Sequence, residues 1–185
     1  MSRWIQSFLL TAGFGLLLYV AYVEIDSRLW QEQASRQLSA SSAPLPPDVE
    51  RARGLVGRLE IPRIALSVMV NEGTSPLTLR RGVGHVEDTA MPGKSGNIGL
   101  AGHRDTFFLP LRNVRRHDLV TLVTQQGTFR YRVVSTRIVA PTEVSVLASD
   151  AGQVLTLVTC YPFYFVGAAP KRFIVRAERH FVQDE

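Results

Sequence analysis

Polar and apolar positions change their pattern three times along this chain. From Trp4 to Val23 the residues are almost all apolar and none is charged; Gln6, Ser7 and Thr11 are the clearly polar members. A helix of about 20 residues rises about 30 Å, the thickness of a bilayer's hydrocarbon core. Trp4, Tyr19 and Tyr22 fall toward its ends, where interfacial aromatics are favoured. The run predicts a transmembrane anchor over 4–23. A cleaved signal peptide is the main rival, but it normally has a shorter apolar region and a small-x-small cleavage site. Neither is evident around Tyr22-Val-Glu-Ile25. A buried core helix would also have to be apolar all round. Arg3 precedes the run, and Glu24 and Asp26 follow it. The positive-inside bias therefore puts residues 1–3 in the cytoplasm and the bulk of the chain outside.

Residues 24–53 change to a polar pattern. Ile25, Leu29 and Trp30 are scattered through it as far as Leu38, which suggests a helical continuation of the anchor. Ser39 to Pro47 is small-residue and proline rich, a linker by composition and partly stiffened toward polyproline II. Read this way, the segment is a tether.

From Gly54 onward the pattern is that of short strands. The runs are Leu55 to Ile61, Ile64 to Val70, Asn97 to Ala101, Asp118 to Thr124, Thr128 to Thr136, Val154 to Cys160 and Arg172 to Ala177. Gln125-Gln-Gly127 separates two of them as a hairpin turn. In the second of these, Phe129, Tyr131 and Val133 alternate with Arg130, Arg132 and Val134, the period of a half-buried strand. Helical signals are short: Pro76 to Arg81, and a turn around Phe107 to Asn113. Seven or eight short strands over 54–185 predict a mainly β domain, a closed or nearly closed β-barrel with short helices.

Composition narrows the function. The net charge is +5 and the sequence pI is about 9.9. However, Lys and Arg are spread along the chain without a basic run or an aromatic platform, so no nucleic-acid partner is expected. The charge fits a solvated surface that can sit near anionic lipid. A single cysteine, Cys160, excludes an internal disulfide and any multi-cysteine metal site.

A lone cysteine is most often an inert buried side chain, so Cys160 needs partners before it counts as a nucleophile. Its pKa must be lowered by a neighbouring His⁺ or Arg⁺, and acyl transfer needs a group to hold the oxyanion. Arg172 opens the next strand after a short loop, although taken alone it reads as a surface arginine. There are four histidines. His103 ends the apolar run Gly99-Leu-Ala-Gly102 and leads a polar cluster, where an imidazole faces a cleft more readily than a core. His85, in the glycine-rich stretch Gly82-Val-Gly-His85, is the second choice. His117 and His180 read as surface residues. Asp105 could orient His103, or simply cap a turn.

Thr156-Leu-Val-Thr-Cys160, with Arg172 after it and Ala101-Gly-His103 before it, resembles the TLxTC signature and the partner residues of sortases, the membrane-anchored cysteine transpeptidases. The resemblance runs from about Gly54 to Arg179. Gly102-His-Arg-Asp-Thr-Phe-Phe108 and Thr159-Cys-Tyr-Pro-Phe163 look most like class D. The resemblance implies an eight-stranded sortase β-barrel in which Cys160 attacks an LPxTG-like sorting signal after its Thr. His103 would protonate the leaving amine and deprotonate the incoming one, and Arg172 would position the signal and stabilise the oxyanion. Thr159 would lend its backbone or hydroxyl to the oxyanion. The partners it implies are secreted proteins with a C-terminal sorting signal and an amine acceptor of the cell envelope. It places the enzyme in the plasma (inner) membrane as a single-pass protein, and no cofactor is expected. No acidic cluster has EF-hand spacing, so no metal site is carried over. The Asp-Pro-aromatic lid of pilin-polymerising sortases is missing too. The alternatives are a thiol hydrolase of the same signal and a non-catalytic peptide-binding barrel.

Overall fold

The computed structural model describes residues 3–40, 54–149 and 151–181. Most of the Ser/Pro-rich linker lies outside the described residues. Helix α1 spans Arg3–Ala40, so the expected anchor and its continuation are one element. Ser39 and Ala40, read above as linker, still belong to the helix; the prolines that stop a helix come later.

The two halves of α1 have different surroundings. Every residue from Arg3 to Tyr22 is exposed, and this half is long and apolar enough to cross a membrane. Beyond it, Val23, Asp26, Ser27, Trp30, Gln31, Ala34, Ser35 and Leu38 are shielded. That is a stripe at three- and four-residue spacing, one face of a helix.

Polar groups hold this face to the domain. Gln31 accepts from the Met69 N–H at 2.9 Å and donates to the Arg81 carbonyl at 2.6 Å. Asp26 accepts from Arg81 Nε at 3.2 Å and Nη2 at 3.3 Å. That hydrogen bond, with the Arg80 and Arg81 charges, holds the Asp26 carboxyl below its ordinary pKa. Of the three scattered apolar residues of this segment, Trp30 is on the shielded face, whereas Ile25 and Leu29 point to solvent.

The rest is an eight-stranded barrel: β1 (Leu55–Ile61), β2 (Leu66–Glu72), β3 (Val83–His85), β4 (Gly96–Ala101), β5 (Leu119–Thr124), β6 (Gly127–Val139), β7 (Gln153–Tyr161) and β8 (Lys171–Arg179). The order around it is β1-β2-β3-β4-β7-β8-β6-β5, and the β1–β5 pair closes it. Closure leaves no edge strand. The β2–β3 and β4–β7 pairs are parallel, and parallel neighbours need a crossover. Helix α2 (Pro76–Arg81) makes the first crossover; Ser75 caps it by accepting from the Thr78 N–H, and Pro76 starts it.

Strands supply the core at every second position. Leu59 and Ile61, Val68 and Val70, Ile98 and Leu100, Tyr131 and Val133, and Leu155 and Leu157 all belong to it. The Gln125–Gly127 hairpin and α2 fall where the sequence put them. The second strand, by contrast, starts at Leu66, because Pro62–Ile64 forms a 3-10 turn. Strand β3 was not expected: its three residues, one of them glycine, are too few to show a period.

An ion pair closes the β1–β2 end. Asp118 accepts from the Arg63 guanidinium and, at 2.8 Å, from the Arg115 N–H. The Arg63 hydrogen bond first, with the backbone one behind it, holds the Asp118 carboxyl below its ordinary value of 3.8. A folded-state pKa below the unfolded one stabilises the protein above the unfolded value, and the gain is lost as pH falls through the folded one. Asp118→Asn should therefore cost about 2 kcal/mol at neutral pH and flatten the acid limb of stability below pH 3.8. Denaturation midpoints read across pH check both.

Candidate active site

The thiol, the guanidinium and the imidazole come from three strand ends on one side of the barrel. Cys160 and Arg172 are direct cross-strand partners in the β7–β8 ladder. Directly opposed residues share a face of the sheet. Leu155, Leu157 and Thr159 alternate inward, so Cys160 and Arg172 lie on the outer face, where both are half-buried. On the other side of β7, Ala101 of β4 pairs in parallel with Val158. The ladder ends there: the Gly102 N–H still donates to the Val158 carbonyl, and His103 follows two residues past the end of β4.

The two threonines of Thr156-Leu-Val-Thr-Cys160 account for that register. Thr156 donates to the Asn97 side chain at 2.7 Å, and Asn97 donates in turn to the Val146 and Ala148 carbonyls at 3.0 and 3.3 Å. Thr159, 2% exposed, donates to the Gly102 carbonyl at 2.7 Å, and the Gly102 N–H donates to the Val158 carbonyl at 3.2 Å. The residue before His103 is thus clasped by β7 on both backbone groups, and the intervening Leu157 fills the core. Gly102 is needed for space: a Cβ there would meet the Phe108 ring at 2.8 Å. Phe108 is fully buried, and its N–H donates to the His103 carbonyl at 3.0 Å.

The Thr159 hydroxyl is therefore used on Gly102, a role that sequence reasoning missed. Thr159→Val keeps the shape but leaves a buried carbonyl without its donor. It should lower stability by about 1–3 kcal/mol and slow turnover through misplacement of His103, with KM for peptide less affected than kcat. Equal kcat in the two proteins would contradict this.

Other residues lock the loop that joins β7 to β8. Arg104 donates to the Phe165 and Gly167 carbonyls at 2.7 and 3.1 Å, and its guanidinium lies 5.7 Å from the Phe165 ring centroid. Tyr161, Phe163 and Phe173 form an aromatic group with ring centroids 5.3 to 6.3 Å apart. Arg172 Nη1 donates to the carbonyls of Ala169 and Lys171 at 3.3 and 3.0 Å. The loop thus holds the guanidinium of the residue paired with Cys160.

His85 and Asp105 are placed differently. His85 lies on β3, 0% exposed, with Nδ1 3.0 Å from Glu72 and Nε2 3.0 Å from both the Ala90 carbonyl and the Thr89 hydroxyl. Its ring is committed to holding β2, β3 and the following turn together. Asp105 is exposed and has no hydrogen-bond or ion-pair partner among the described residues. His117 is exposed, as expected, whereas His180 is partly shielded against Arg132, at 3.0 Å.

Cys160 is paired directly with Arg172 on β8, and the strand flanking β7 on its other side, β4, leads into His103, all at one end of a closed β-barrel. The sortase domain model matches residues 59–180. Sortase D of Bacillus subtilis (strain 168) is 32% identical over 199 residues, covering 97% of this chain and 99% of that protein. Among solved structures, sortase C1 of Streptococcus suis superposes with a TM-score of 0.66 at 30% identity, covering 74% of this chain and 82% of that one. The sortase D5 transpeptidase of Clostridium perfringens superposes with a TM-score of 0.68, covering 84% and 98%; at 22% identity it bears on the fold alone. The chain belongs to the sortase family of cysteine transpeptidases.

Proposed function

We propose that this protein cuts an LPxTG-like sorting signal after its threonine and transfers the segment ending in that threonine, through its carbonyl, to an amine of the cell envelope. The observation that carries the reading is the cross-strand pair Cys160–Arg172, with His103 just past the end of β4, the strand that flanks β7 on its other side. Cys160 Sγ attacks the scissile carbonyl. The oxyanion forms beside Arg172, whose planar fork suits two oxygens better than an ammonium does. His103 gives its proton to the departing amine, leaving a thioester, and takes one from the incoming amine as the new amide forms.

The outer face shared by β7 and β8 is where we place the signal peptide. Thr156 pairs with Arg176, Val158 with Ile174, and Cys160 with Arg172, so these residues form one continuous track. A small cleft lined by Ser145, Val146, Thr156 and Arg176 lies along it, under the segment that joins β6 to β7.

The exposed apolar half of α1 supports an uncleaved single-pass anchor in the plasma membrane, with the N-terminus cytoplasmic and the barrel outside. The donors are secreted proteins that carry the signal near their own C-terminus. Product analysis tests the reading: with peptide and saturating amine, a ligated product is expected. Hydrolysis alone under those conditions would mark a thiol hydrolase, and no cleavage at all a binding module.

A further inference from the structure

A larger opening than the one beside Thr156 is lined by His103. A cleft of about 860 Å³ lies between the post-membrane half of α1, helix α2 and the loop after β4. Its walls include Val23 and Ser27 of α1, Leu79 and Arg80 of α2, and His103 and Asp105. The volume falls within the roughly 300–1,000 Å³ of sites that enclose a drug-sized ligand. The cleft is held open by the docking of α1: Gln31 bridges Met69 and Arg81, and Asp26 pairs with Arg81.

We propose that this cleft is the amine-side subsite, which receives the acceptor in the second half of the reaction, and that the anchor helix is one of its walls. The inference rests on the transpeptidase reading above and adds where the acceptor binds. Its chemistry is directional. The amine nitrogen attacks the thioester carbon, the N–C bond forms and the C–S bond breaks. One proton passes from nitrogen to His103, and Cys160 leaves as thiolate. The nitrogen must therefore approach from the side of His103, and His103 lines this cleft.

The charges agree with an amine. Glu24 is paired with Arg28 at 3.0 Å, and Arg80 faces Asp26 at 3.8 Å. Asp105 has no such partner among the described residues, so it is the carboxylate left to accept hydrogen bonds from an amino group. The shape adds that the acceptor is an extended chain bearing a primary amine, since a small amine would leave the volume unfilled. Val23 ends the apolar run, so the cleft opens at the level of the bilayer surface, and an acceptor chain reaches it from there.

The test uses the full chain in detergent micelles, a peptide containing Leu-Pro-x-Thr-Gly, and two nucleophiles, triglycine and hydroxylamine. Hydroxylamine is too small to need the cleft. Ser27→Trp fills the cleft, and Asp105→Asn removes its carboxylate. Each should raise the KM for triglycine about tenfold relative to that for hydroxylamine. An unshifted ratio in both variants, or an equal loss with both nucleophiles, overturns the subsite while leaving the transpeptidase reading in place. A wild-type chain that does not cleave the peptide overturns that reading and the subsite with it.

Discussion

The Cys160→Ala protein should fold like the wild type and cleave sorting-signal peptide at less than ~10⁻³ of its rate, the expected result of removing a nucleophile. Cys160 sits inside the β7–β8 ladder, between the Thr159–Phe173 and Tyr161–Lys171 pairs, so the backbone there does not depend on the thiol. Alanine keeps the Cβ and removes one half-buried sulfur atom. The stability change should stay within about 1 kcal/mol. Thermal melts and peptide cleavage on the same samples separate the two effects. Residual turnover above that level, in a folded protein, would mean that another group attacks the peptide.

His103→Ala is the second large effect, a fall in kcat of roughly 10²–10⁴-fold, the usual contribution of a general acid–base group. Here too the fold should be unaffected. The imidazole is exposed, and the loop is fixed through backbone groups, by Thr159 on Gly102 and by Phe108 on His103. His85→Ala gives the contrast. It deletes a fully buried ring with polar partners on both nitrogens, so its loss appears first in stability. Unchanged turnover in His103→Ala, with turnover lost in a stable His85→Ala protein, would exchange the two assignments.

These two histidines show where the sequence was legible and where it was not. Both follow a glycine, and both read as loop residues near a site. Only the fold separates them: β3 is too short to announce itself, and its pairing with β2 and β4 buries His85. The hairpin at Gln125–Gly127 and the buried Tyr131 and Val133 were plain, because a strand with one wet face writes its period into the sequence.

The docking of α1 was not plain, because its contact face is built on Asp26, Gln31 and Ala34. Its apolar members, Val23, Trp30, Ala34 and Leu38, alternate with polar ones, and the equally conspicuous Ile25 and Leu29 are on the solvent side, at 56% and 54% exposure. The segment after the anchor, read as a tether, is in its helical part a wall of the domain. Cys160 and Arg172 stand out by their motif; that they are direct partners required the register of β7 and β8. Thr159 shows a limit of another kind: its hydroxyl suited an oxyanion role, and the fold uses it to hold the backbone that carries His103.

The central claim is that acyl transfer passes through Cys160. The direct measurement is the mass of the intact chain, quenched in acid during turnover of a Leu-Pro-x-Thr-Gly peptide. The account predicts an adduct of the peptide segment ending in Thr, joined at Cys160, discharged by hydroxylamine and absent from Cys160→Ala. Cleaved peptide without an adduct on the wild-type chain, or an adduct that survives Cys160→Ala, would contradict it.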